Sequence, residues 1–205
     1  MSEVAIIGAG SVARALGASL ARAGVPVRFG VRDPDNAEGL PGPASPVADA
    51  TASAEVVLLA VPASVAVSAL RPCRNLHGKV LVDCTNPVRW NDGPVWSPPA
   101  SGSVAVELAR AYPDARVVKG FNHFGSEIQR DPEMPGGPAD ALFASDDPKA
   151  KRQVMDLART MGFRPWDAGP LRNAALLENL AVTWIHMSSV GGMGRQLVVR
   201  LETRE

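Results

Sequence analysis

The chain has 205 residues, 46% of them hydrophobic, and its 21 Lys+Arg are matched by 21 Asp+Glu. That length and composition suit one well-packed domain over residues 1–205, and the zero formal net charge supplies no electrostatic reason to expect nucleic acid or an anionic membrane surface as partner. No apolar run reaches the roughly 18–20 residues of a membrane-spanning helix, and the first residues enter an apolar strand without the basic and apolar regions of a leader, so a cytoplasmic protein is expected.

Short apolar runs alternate with helical patterns along the chain. Val4, Ala5, Ile6 and Ile7 predict a first strand. Residues 11–23 repeat apolar side chains at Val12, Leu16 and Leu20, a helical period, and stop at Gly24. Residues 25–31 predict a second strand. Residues 55–61, 79–84 and 116–121 are nearly continuous apolar runs, as expected for strands covered on both faces. Residues 101–112 predict a helix that ends before Pro113. Residues 139–144 predict a further strand, and Asp147 can cap a helix whose first residue is Pro148 and which runs to Gly162. A short strand is predicted at residues 163–166. A last helix begins near Arg172, with Leu176, Leu177, Leu180, Ala181, Trp184 and Ile185 as one apolar stripe. Gly191, Gly192 and Gly194 break it before the apolar tail Leu197, Val198 and Val199. Residues 40–46, 91–99 and 131–138 are predicted loops. Strands alternating with helices imply a Rossmann-like α/β fold with a doubly wound, mostly parallel sheet, closed by a C-terminal helix and tail over residues 170–205.

Gly8-Ala9-Gly10-Ser11-Val12-Ala13 reads G-x-G-x-x-A directly between the first strand and the first helix, the context a dinucleotide turn requires. Gly8 permits the tight turn, Gly10 lets a pyrophosphate approach the backbone, and small Ala13 lets helix and strand pack closely. Free N–H groups and the helix dipole at Ser11 and Val12 favour negative charge there. NAD-binding chains place an acid at the end of the second strand, whereas NADP-binding chains supply arginine near it. Here Val31 takes the acid's position and Arg32 follows, able to hold a 2′-phosphate by paired hydrogen bonds. A shift of one or two residues would instead make Asp33 the ribose acceptor. NADP(H) is the favoured reading.

Cys73 and Cys84 are too few for a disulfide scaffold and lack zinc-ligand spacing, so reduced thiols and no metal are expected. No Ser/Tyr/Lys constellation is evident. His77 falls in a turn and His186 follows the apolar stripe, whereas His123 falls at the carboxyl end of a predicted strand, where ligands bind open α/β sheets. It is the candidate catalytic residue. With so little acid–base machinery, hydride exchange between nicotinamide and a planar, flavin-like ring suits the chain, because that reaction needs alignment and exclusion of water more than a proton donor.

Several strings appear in order: G-A-G-S-V-A, then G-V-R-D-P from Gly30, D-C-T-N-P-V from Asp83, K-G-F-N-H from Lys119, D-A-G-P-L-R-N-A from Asp167 and L-E-N-L-A-V-T-W-I-H from Leu177. Over nearly the whole chain they resemble the NADP reductases that use the deazaflavin coenzyme F420, with the short oxidoreductases grouped with them. They are also similar to the cytoplasmic reductase domain of the membrane ferric and cupric reductases. The resemblance implies that Gly8, Ala9, Gly10, Ser11 and Val12 hold the pyrophosphate and that Val31 and Arg32 face the 2′-phosphate. It implies that Ala60, Val61 and Pro62 line the adenosine side. Asn86 and Pro87 would line the nicotinamide end, with Asn122 and His123 near the acceptor. Val31 departs from a hydroxyl residue often found before the arginine. Trp90 and Trp96 match nothing in the pattern; they either stack on a ring acceptor or pin their loop.

The leading expectation is an NADP(H)-dependent oxidoreductase with a small-molecule acceptor, first coenzyme F420, acting as a homodimer through the last helix. The alternatives are an imine or enamine reductase with His123 as proton donor, a flavin or ferric-chelate reductase, and a redox sensor that binds NADP(H) without turnover.

Overall fold

A computed structural model describes residues 2–73 and 75–204. In chain order its elements are β1 (Val4–Ile7), α1 (Ser11–Arg22), β2 (Val27–Val31), β3 (Ala44–Pro46), α2 (Val47–Ala52), β4 (Val56–Leu59), α3 (Ala66–Ala69), β5 (Val80–Asp83), β6 (Val88–Trp90) and β7 (Pro94–Trp96). They continue with α4 (Val104–Ala111), β8 (Arg116–Lys119), α5 (Ser126–Arg130), β9 (Asp140–Phe143), α6 (Pro148–Thr160), β10 (Arg164–Asp167) and α7 (Ala174–Ile185), which runs into one π turn at His186–Val190.

The six-stranded sheet has the order β3-β2-β1-β4-β5-β8, and every pairing in it is parallel. The chain builds outward in one direction from β1 and then in the other from β4. Their carboxyl ends therefore part company at the centre of the sheet, where open α/β sheets bind ligands. β9 and β10 pair in parallel as a second small sheet and meet the main one at a single bridge between Lys119 and Ala144.

Period-two alternation sends each strand's side chains into two cores. Val4, Ile6, Val56, Leu58, Val80 and Val82 pack on one face with Leu16, Leu20, Ile128, Val154 and Leu157 from α1, α5 and α6. Ala5, Ile7, Val57, Leu59, Leu81 and Val117 pack on the other with residues of α2, α3 and α4. This two-sided burial is why the strand sequences are continuous apolar runs. The fold is the Rossmann-like α/β arrangement that the alternation of elements predicts.

Some segments differ from expectation. Residues 40–46 are not all loop, because Ala44–Pro46 pairs with the edge of β2. Residues 91–99 are not all loop either, since β7 folds back antiparallel on β6 as a hairpin. Both strands have only three residues, too short for a period to show. In α7 the expected stripe is broken: Leu176 is exposed, and Glu178 is buried in its place beside Leu177, Ala181 and Trp184. Asp147 caps α6 as expected, accepting from the N–H groups of Lys149 and Ala150.

Candidate nucleotide-binding site

The turn between β1 and α1 forms one wall of the site. Gly8 has φ +125°, and a Cβ there would lie 2.3 Å from the Ala60 carbonyl oxygen, so only glycine fits where the turn meets the end of β4. Gly10 is glycine for another reason. Its φ is −77°, accessible to any residue, and a Cβ would meet nothing within 4 Å. The space above it is open. No side chain caps α1, so its first N–H groups remain available as donors beside that space. A diphosphate fits this donor set.

A groove of about 830 Å³ passes over the turn. Its lining brings together Gly8, Ala9 and Gly10, Val31 and Arg32 from the end of β2, and Ala60, Val61 and Pro62 from the end of β4. Ser11 and Val12 do not line it; Ser11 is exposed on the first turn of α1 and Val12 leans on the core. Val31 is the buried last residue of β2, and Arg32 follows it into solvent. Asp33 accepts a hydrogen bond from Asn36 Nδ2 at 2.7 Å, which commits its carboxylate to the turn after β2. Arg14, which sequence reasoning passed over, also lines the groove and donates from Nε to the Ala9 carbonyl at 2.9 Å.

The second cluster lies at the carboxyl ends of β5 and β8. Phe121 is fully buried with φ +56°, an uncommon backbone state for a bulky residue. Its ring sets edge-on against Phe143 at 5.0 Å and Phe163 at 5.6 Å, and its carbonyl accepts from Gln129 Nε2 at 2.7 Å. The following Asn122 lies against Asn86: Asn122 Nδ2 donates to Asn86 Oδ1 at 2.8 Å, and Asn86 Nδ2 donates to the Asn122 carbonyl at 2.7 Å. Pro87 is buried, and its carbonyl accepts from the Ser97 N–H. None of Asn86, Pro87 and Asn122 lines the groove itself.

His123 is placed differently from expectation. Its side chain turns inward, 2% exposed. Nε2 faces the Asp140 carbonyl at 3.1 Å, the ring lies 4.7 Å from that of Phe124, and Nδ1 has no partner. Burial pushes its pKa down to about 4. The ring is therefore neutral near pH 7 and enclosed.

Behind the asparagine pair lies an ionic cluster that sequence reasoning missed. Lys119, Asp83 and Glu178 side chains are all at 0% exposure. Lys119 Nζ donates to Asp83 Oδ2 at 2.9 Å, to Glu178 Oε1 at 3.3 Å and to the Thr85 carbonyl. Glu178 also accepts from the Val104 N–H and from Trp96 Nε1, each at 3.0 Å. Burial raises the Glu178 pKa, opposed by the Lys119 charge. The cluster ties β5, β8, the start of α4, the β6–β7 hairpin and α7 together at one point. Trp96 is thus pinned, while Trp90 stands 63% exposed. The signal available in sequence was a charged residue closing each of two apolar runs.

The C-terminal tail is strapped to β9 and its neighbours. Trp184 Nε1 donates to the Leu197 carbonyl, Arg195 pairs with Glu127, Arg200 bonds the Gly136 carbonyl, and the Leu201 N–H reaches the Asp140 carboxylate. No described tail residue lines the groove.

The family model for NADP oxidoreductases dependent on coenzyme F420 matches residues 3–87. The F420-dependent NADP reductase of Methanothermobacter thermautotrophicus is 31% identical over 170 residues, covering 77% of this chain and 68% of that protein. The chain belongs to the F420-dependent NADP oxidoreductase family. Within and around this family, Metalloreductase STEAP3 of Rattus norvegicus is 33% identical over 180 residues, which are 86% of this chain but 36% of that protein. The chain therefore spans about a third of the metalloreductases it matches. A crystal structure from Arthrobacter sp. FB24, provisionally described as an F420-dependent NADP-reductase, superposes with TM-score 0.85 at 29% identity over 95% of this chain and 97% of that one. A reductive aminase from Aspergillus terreus shares the fold, with TM-score 0.70 at 17% identity over 94% of this chain and 63% of that one.

Proposed function

We propose that this family member transfers hydride between NADP(H) and a planar ring acceptor, with the deazaflavin coenzyme F420 as first choice. The observation that carries the reading is the groove running from Arg32 across the Gly8–Gly10 turn to Ala60–Pro62, with the paired amides of Asn86 and Asn122 at the neighbouring carboxyl ends of β5 and β8. Bound NADPH supplies the hydride from its nicotinamide ring. The chain's residues then have three tasks: Gly10 and the start of α1 take the diphosphate, Arg32 selects the 2′-phosphate, and the paired amides of Asn86 and Asn122 hold the carboxyl ends of β5 and β8 in register. His123 serves packing, since a buried neutral ring cannot deliver a proton to a ligand in the groove. That placement weighs against imine reduction, which needs a donor.

The metalloreductase relatives support a second acceptor class, a flavin or a ferric chelate. Loss of NADPH absorbance, followed in parallel with coenzyme F420, flavin mononucleotide, ferric chelate and a cyclic imine, tests the reading. Fast turnover with F420 is expected. Turnover with the imine alone, or tight NADPH binding with no turnover on any acceptor, would overturn it.

We infer in addition that two copies associate. Leu176, Val190 and Met193, on α7 and the segment after it, stay exposed. A dimer by light scattering is expected, and a monomer at assay concentration removes the inference.

A further inference from the structure

We propose that Arg14 is a second ligand for the 2′-phosphate of NADP(H), acting with Arg32, and so helps decide NADP over NAD. The proposal rests on the NADP reading of the groove. Both arginines line that groove, with Asn36 beside them.

Arg14 is a half-buried residue of α1, immediately after Ala13 of the turn motif. Its Nε is fixed on the Ala9 carbonyl at 2.9 Å, so the guanidinium is held at one angle before any ligand arrives. Gly39 makes room for it. That residue has φ +67°, and a Cβ there would come 3.1 Å from Arg14 Nη1. The guanidinium therefore bridges the phosphate turn and the loop that follows Arg32. The N–H groups of Nη1 and Nη2 meet no acceptor among the described residues, and neither does any N–H of the Arg32 side chain. No carboxylate of the described residues forms an ion pair with either arginine. Asp33, the nearest acid in sequence, is held by Asn36.

Two unneutralised guanidinium groups beside one groove call for an anion. The diphosphate of a dinucleotide is served at the other end of the turn, by Gly10 and the start of α1. The group left facing the end of β2 is the substituent on the adenosine ribose. In NADP that is a phosphate, which planar guanidinium forks bind well. In NAD it is a hydroxyl, which would leave both cations unpaired.

Calorimetric binding of adenosine 2′,5′-bisphosphate and of 5′-AMP separates the 2′-phosphate from the rest of the nucleotide. The wild type should prefer the bisphosphate. Arg14→Ala should cut that preference about tenfold or more, the usual worth of a charged hydrogen bond, while 5′-AMP affinity changes much less. Arg14→Lys, which keeps the charge, should retain a larger share of the preference. Arg14→Ala combined with Arg32→Ala should abolish it. If Arg14→Ala weakens both probes equally, Arg14 only supports the Ala9 turn and the proposal fails. It fails as well if the preference is unchanged in that variant but lost in Arg32→Ala, and in that case the NADP reading survives. A wild type without preference would remove both.

Discussion

Asn122 and Asn86 grip each other by two hydrogen bonds, one from each side-chain amide, at 2.8 and 2.7 Å. Asn122 spends its second N–H on the Leu177 carbonyl at 3.0 Å, so one buried amide joins β5, the turn after β8 and α7. A carboxylate in its place would face two acceptors with no proton to give. Asn122→Ala should cost about 1–3 kcal/mol, the usual cost of leaving buried partners unsatisfied, and Asn122→Asp should cost more although it is nearly isosteric. Urea unfolding of the two variants checks the order. An Asn122→Asp protein as stable as wild type would show that the amide's donors are dispensable.

Among the described residues, Lys119 is the only cation in contact with two carboxylates at 0% exposure. Lys119→Met should therefore be severely destabilising, by about 3–5 kcal/mol, because it leaves buried charge uncompensated. Glu178→Gln should be milder. Burial already raises that carboxyl's pKa, and an amide oxygen can still accept from Trp96 Nε1. Denaturant midpoints for the two variants should differ in that order, and an equal loss would count against it.

Gly8 and Gly10 occupy the same motif for different physical reasons, and alanine separates them. Gly8→Ala brings a Cβ to 2.3 Å from a backbone oxygen at φ +125°, so it should lose about 2 kcal/mol or more. Gly10→Ala meets open space at an ordinary φ, so stability should stay within about 0.5 kcal/mol while NADPH affinity falls at least tenfold. Thermal unfolding and nucleotide titration on both variants test this. A Gly10→Ala protein that binds NADPH normally would mean the diphosphate does not approach that residue.

His123 should make the protein acid-sensitive. Its folded pKa lies near 4, below its usual 6.5, so the unfolded chain binds the extra proton first. The contribution is fully present above about pH 6.5 and is lost as pH falls toward 4, with a total of about 3 kcal/mol. Unfolding midpoints at pH 7, 5.5 and 4 should fall for wild type more steeply than for His123→Phe. Parallel slopes would show that His123 is not the group that titrates.

The chain by itself was enough for much of what depends on near neighbours. Continuous apolar runs marked the central strands, because a strand covered on both faces has no solvent side to record. The glycine turn, the small Ala13 and Arg32 were readable from local backbone needs and from position relative to β1 and β2. Asp147 declared the start of α6 through its own short-range hydrogen bonds. Residues brought together across the chain were not readable in the same way. Lys119 and Glu178 stand 59 residues apart, and either would pass for a solvated charge until packing removes the water. The hairpin at 88–96 has strands of three residues each, below the length at which alternation appears. His123 lay at the expected end of β8, but the left-handed turn at Phe121 and the carbonyl of Asp140 decided that its ring points inward. Direction of a side chain after a strand end is set by tertiary contacts, which is why the residues that line the groove were legible in sequence and the inward turn of His123 was not.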